Sequence, residues 1–153
     1  MRFAQYQDWP YCGRYLINWL DPDVLKKKVP KTWNAFVRWC GDEQTAKTAC
    51  TWSKGPLVEI NNEWMDKNTR PTANGATPLG TNMCYIREEV ASKYERGTGW
   101  IVWESTVLHE LVHWARHAKG LSRHPNGLEP GREFEIEAYG HDIDRGEPWR
   151  AGP

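Results

Sequence analysis

The spacing of apolar residues changes period along the chain, and each change marks an element. Over residues 11–20, Tyr15, Leu16, Trp19 and Leu20 recur at the three-to-four spacing of a helix. Asp21 and Pro22 then stop it and open another, with Asp21 as N-cap and Pro22 in first position, running to Lys28. Trp33, Phe36, Val37 and Cys40 repeat the pattern over residues 32–40, closed by Gly41, and Asp42 is placed to cap a further turn toward Cys50. From Gly55 the period shortens. Leu57, Val58, Glu59, Ile60 and Asn61 alternate as a half-buried strand does, and residues 83–86 predict a second strand. Between them, residues 66–82 carry Pro71, Gly75, Pro78 and Gly80 and predict a long loop, either bordering a cleft or wandering over the surface. A short helix over 87–94 and a break at Gly97 and Gly99 follow. A longer helix then starts between Trp100 and Thr106 and ends at Lys119, with Gly120 beyond it. Turn signals at Pro125, Gly127, Pro130 and Gly131 separate it from a last helix over 132–143. The pattern predicts an α+β fold, mainly helical with a small sheet. It forms one domain over 1–153, with a Trp-rich helical part over about 1–52 and the chemistry in 100–145.

Composition adds limits. At 153 residues the chain is long enough for a real core. Only 39% of it is apolar, but ten Trp give that fraction bulk, and the Trp and Phe stripes read as core. Lys+Arg and Asp+Glu balance at 20 each, so nothing points to nucleic acid or to an anionic membrane surface. No stretch approaches the ~18 apolar residues of a membrane span. The first eight residues lack the apolar run of a signal peptide. That leaves a cytosolic protein, export by a machine that ignores such signals, or excision from a longer chain. Cys12, Cys40, Cys50 and Cys84 include no Cys-x-x-Cys pair, so they read as two disulfides or as four buried thiols. Cys40 and Cys50 are the pair best placed to close a small loop.

The chemistry is concentrated in His109-Glu110-Leu111-Val112-His113. Two imidazoles four apart on a helix face the same way and can share a metal ion, Zn2+ by this motif. Glu110 beside the first His can take a proton from a water at that ion. With His109 at 0° and about 100° per residue, His113, His117 and Glu110 fall at about 40°, 80° and 100°, while Leu111, Trp114 and Ala115 face the other way. One arc carries the metal and the other the core. His117 lies farther along the axis and reads as a cleft residue.

A catalytic zinc takes three protein ligands and an open position. The three-histidine extension of the motif fails, because Lys119 stands where its last His belongs. His124 sits in a Gly/Pro-rich loop and is a weak candidate. On the last helix, Glu135 falls inside the arc formed by Phe134, Ala138, Tyr139, Ile143 and Ile136, with Asp142 beside it. Glu133 and Glu137 fall on the polar side with Asp144. An ionised Glu on a buried arc is costly unless it is paired or binds a metal, so Glu135 is the favoured third ligand. A one-residue change of register would promote Glu133 or Glu137 instead.

His109 to His113, followed by Glu135-Ile136-Glu137-Ala138, resembles the gluzincin branch of zinc metallopeptidases. The resemblance implies a zincin-like fold, His109, His113 and Glu135 as zinc ligands, and Glu110 as catalytic base. Tyr139 stands where these families often have Asp or Asn, which leaves Asp142 to support the zinc histidines. A Trp-rich helical first part with a late motif also resembles the metallopeptidase domains of bacterial polymorphic toxins and type VI secretion effectors. That second resemblance implies a protein or peptide substrate, an immunity protein or secretion carrier as partner, and action in a target-cell periplasm.

The expected reaction is peptide-bond hydrolysis, with Glu110 moving the proton from water to leaving amine. Tyr139, His117, His141 and His124 are candidates for a further hydrogen-bond donor. The strands over 57–61 or 83–86 are candidates to pair with an extended substrate. Two other functions remain open at this stage: hydrolysis of cell-wall peptides by the same chemistry, and a binding module that keeps the fold without the reaction.

Overall fold

A computed structural model describes residues 1–143; Asp144 and the rest of the chain to residue 153 lie outside the described residues. The first strand, β1 (Arg2–Phe3), leads into four helices: α1 (Pro10–Asn18), α2 (Pro22–Lys28), α3 (Pro30–Cys40) and α4 (Glu43–Cys50). Their ends follow local chemistry. Asp21 accepts from the amides of Asp23 and Val24 to start α2, Gly41 ends α3 with φ 99°, and Asp42 accepts from Thr45 N to start α4.

Then come β2 (Leu57–Ile60), α5 (Asn62–Asn68), β3 (Gly75–Ala76), β4 (Met83–Ile86) and α6 (Glu88–Glu95). Three elements here, β1, α5 and β3, have no counterpart in the apolar pattern, because each is too short or too polar to show a period. The sheet runs β1-β2-β4-β3, with the first three strands parallel and β3 antiparallel to β4. This mixed four-stranded sheet among helices is a small, mainly helical α+β domain, as the pattern predicts. Both strands expected to meet substrate lie inside the sheet; its edges are β1 and β3, the latter within the turn-rich segment. That segment is tied down: the Arg87 guanidinium donates to Ala73 O at 2.9 Å and to Asp66 at 2.6 Å, and Arg87 N donates to Asn74 O.

The long helix α7 (Trp100–Ala118) runs through the middle, with Val102, Trp103, Val107, Leu108, Leu111, Val112 and Ala115 buried. The last helix, α8 (Pro130–Tyr139), packs against α3 and α7. Phe134 of α8 meets Phe36 of α3 edge-on, ring centroids 6.0 Å apart. Gly140, at φ 91°, ends α8 three residues before the expected Ile143. One apolar core runs from Met1 to Ile143. Burying its large rings supplies on the order of 1.5–3 kcal/mol each.

Of the two readings of the cysteines, the structure takes the second: all four are free and buried, as small apolar core residues, and Cys40 closes no loop with Cys50. One expectation about a side chain is corrected. Trp19, grouped with Tyr15 and Leu16 as core, is 53% exposed, because α1 ends at Asn18 and turns it outward.

Candidate metal centre

On α7 the helical spacing does what the sequence implies. His109 and His113 are one turn apart, ring centroids 5.0 Å from each other, and both face a cleft of about 930 Å³. Glu110 lines the same cleft and is 3% exposed.

A carboxylate that could complete a donor set with them comes from a place the helical wheel does not reach. Glu129 is the N-cap of α8, its carboxylate accepting from the amides of Gly131 and Arg132. The same carboxylate turns into the cleft, with Oε1 2.7 Å from His113 Nε2 and Oε2 3.7 Å from His109 Nε2. One donor atom each from His109, His113 and Glu129 lie within 4.8 Å of one another. Two imidazole nitrogens and a carboxylate oxygen are a donor set suited to a divalent ion, so the residues fit a metal. Burial would raise the Glu129 pKa, but the hydrogen bond with His113 and the charges of His109 and His113 outweigh it and hold the group down at about 2.

Glu135, the favoured third ligand from sequence, lies behind His109 and is fully buried. His109 Nδ1 donates to its Oε1 at 2.6 Å, and Ile143 N donates to its Oε2 at 2.6 Å. With Nδ1 donating to Glu135, a neutral His109 ring carries its lone pair on Nε2, toward the cleft, the tautomer a metal requires. The wheel found a carboxylate stranded on an apolar face; a histidine ring stands between it and the donor cluster.

The other candidates divide. His117 accepts from Gly80 N at 3.2 Å and borders the cleft's Thr77–Leu79 side, while His124 lines the cleft from the loop before α8. Tyr139 turns away and donates to Glu104 at 3.1 Å; Asp142 pairs with Arg132; His141 is exposed after Gly140. Glu137 accepts from Trp39 Nε1 and pairs with Arg38, and Glu133 is half-buried on the first turn of α8.

Two residues of the β3 region matter although neither carried a signal of its own. Thr77 Oγ1 donates to Glu110 Oε2 at 2.7 Å and lies 3.0 Å from Glu110 O. A Cβ on Gly75 would lie 2.8 Å from Glu110 Cγ and 2.9 Å from Oε1, so only glycine lets this strand approach the carboxylate. Gly131 does the same for the metal face, since a Cβ there would overlap the His109 ring. A sequence signal for Glu129 does exist: Pro130 in the first helical position marks the preceding residue as N-cap.

A cleft that gathers two imidazoles and two carboxylates, Glu129 and Glu110, has the equipment of a metal-dependent hydrolase. The family described as metallopeptidase toxin 3 matches residues 5–140, and the chain belongs to it. It is a metallopeptidase toxin domain. No curated protein and no solved structure matches the chain.

Proposed function

We propose that this domain is a zinc-dependent endopeptidase in which His109, His113 and Glu129 hold the ion, Glu135 orients His109, and Glu110 is the general base. The carrying observation is the approach of Glu129 to both imidazoles while Glu135 is bonded to His109 Nδ1 and Ile143 N. For Glu135 to serve as ligand in its place, it would have to give up two buried hydrogen bonds and pass the His109 ring. When bound, zinc supplies the Lewis acidity that acidifies a water and polarises the scissile carbonyl.

The chain's own residues do the rest. Glu110, fixed through Oε2 by Thr77, accepts the proton of the attacking water and delivers it to the departing amine nitrogen. The edge strand β3 borders the cleft, where an extended peptide can add to the sheet beside Glu110. A toxin with this equipment would act on proteins of a recipient bacterium, delivered by a larger carrier and checked in the producer by an immunity protein.

Metal content of purified variants tests the ligand set. Glu129→Ala is expected to lose zinc, and Glu135→Gln to keep it with affinity lowered about 10–100-fold, as for a residue that orients a ligand. Zinc retained in Glu129→Ala and lost in Glu135→Gln would return the third position to Glu135.

A further inference from the structure

At the opposite end of α7 from the cleft lies a pocket of about 360 Å³, the size of a small-molecule site. It shares no lining residue with the metal cleft. Four aromatic rings wall it: Tyr15 and Trp19 from α1 and its end, Tyr94 from α6, and Trp100 from the first turn of α7. Tyr15 meets Tyr94 edge-on at 5.8 Å, and Tyr94 stacks on the buried Trp103 at 5.6 Å, so the inner walls are fixed. The outer two are open, Trp19 at 53% and Trp100 at 62% exposed.

Glu104 forms part of the lining and is 9% exposed. Its two oxygens accept from Tyr15 at 2.9 Å and from Tyr139 at 3.1 Å. Each oxygen accepts a hydroxyl proton, as a carboxylate does, while burial pushes the pKa of the group up. Yet among the described residues Glu104 has no ion-pair partner; Lys28, the one cation on the lining, is exposed at the rim. A buried anion without a counter-ion is costly, and aromatic faces around it attract positive charge.

We propose that this pocket binds a quaternary ammonium group. Aromatic walls and a carboxylate select a cation. The choice among cations follows from hydrogen bonding. A primary ammonium brings three N–H donors, and the one carboxylate here already accepts two bonds. A trimethylammonium group brings none and is cheap to strip of water. The inference stands apart from the peptidase reading, since neither site uses the other's residues.

Titration of the whole protein with choline and with its uncharged isostere 3,3-dimethylbutanol, followed by calorimetry, tests it. Choline is expected to bind about tenfold or more tighter than the isostere, as a desolvated cation–π site requires. Trp19→Ala and Trp100→Ala, both at exposed positions, should weaken choline about tenfold and leave peptide hydrolysis unchanged. Glu104→Gln should remove the preference for the charged ligand, and its far-ultraviolet dichroism reports whether it has folded. Sedimentation with phosphatidylcholine and with phosphatidylglycerol vesicles separates the sources of the group: capture by the first alone points to a lipid headgroup, capture by neither to a free quaternary ammonium compound. No choline binding, equal binding of the isostere, or choline affinity unmoved in both Trp variants would overturn the proposal.

Discussion

Glu110 is held in place from two sides. Thr77 donates to one oxygen, and Gly75 lies close against the side chain without touching it with a Cβ. In the proposed role of general base it contributes through its basicity, which Gln lacks while keeping the shape. Glu110→Gln is therefore expected to lower kcat about 10²–10⁴-fold, the usual share of a general base. Zinc content should stay at wild type, read by elemental analysis beside a peptide-cleavage assay. At this scale the sequence was legible wherever the relation is local. His109 and His113 share a face because a helix repeats every 3.6 residues, and no distant contact changes that. Glu129 was not legible as a donor. Its helix-capping role is local, but its turn into the cleft depends on how α8 docks on α7, which no spacing along the chain records.

Elements show the same division. Helices α2 and α4 begin at Asp21 and Asp42 and α3 ends at Gly41, caps that can be read directly, and β2 and β4 follow from alternation. The two-residue strand β3 has no pattern to read, and it is made by pairing with β4 and by the Arg87 bonds that draw in the preceding loop. Its closeness to α7 gives a specific expectation. Gly75→Ala should push Glu110 or the strand aside and lower kcat about tenfold or more, the penalty of misplacing a reacting group by a fraction of an ångström. Metal affinity should be unchanged, because Gly75 meets Glu110 and Thr106 and not the donor histidines. Helix α8 depends on α3 in turn. Phe36→Ala empties the contact with Phe134 and is expected to cost about 3–5 kcal/mol in denaturant unfolding. The loss of zinc should track the loss of stability, since α8 carries Glu129 and Glu135 at its start and middle.

For the molecule as a whole, apolar burial does without covalent staples. Cys12, Cys40, Cys50 and Cys84 are all buried thiols, and burial raises each pKa well above the ordinary range. Thiolate is the reactive form, so a thiol reagent at neutral pH is expected to label none of the four until the chain is unfolded, when it should label all. Mass spectrometry of native and denatured samples checks this, and reductant should leave Tm unchanged. The even cysteine count was compatible with disulfides, and only the distances set by the fold decide the question. The α+β class and the helical first part were legible from the pattern of apolar residues. The aromatic pocket was not, because Trp19 and Trp100 look like core residues in any composition count.

On the proposed ligand set the carboxylate of Glu129 has two employments, as N-cap of α8 and as the third donor of the cluster. The start of this helix is thus shared property between backbone and ion. Removing the ion leaves the carboxylate bonded to the amides of Gly131 and Arg132, so the helix does not fray when the metal goes. The metal-free protein is then expected to be a dormant form whose rearrangement on loading is small. Chelation should therefore abolish cleavage while leaving the far-ultraviolet dichroism of the protein intact, and added zinc should restore cleavage within the time of mixing, without a refolding phase.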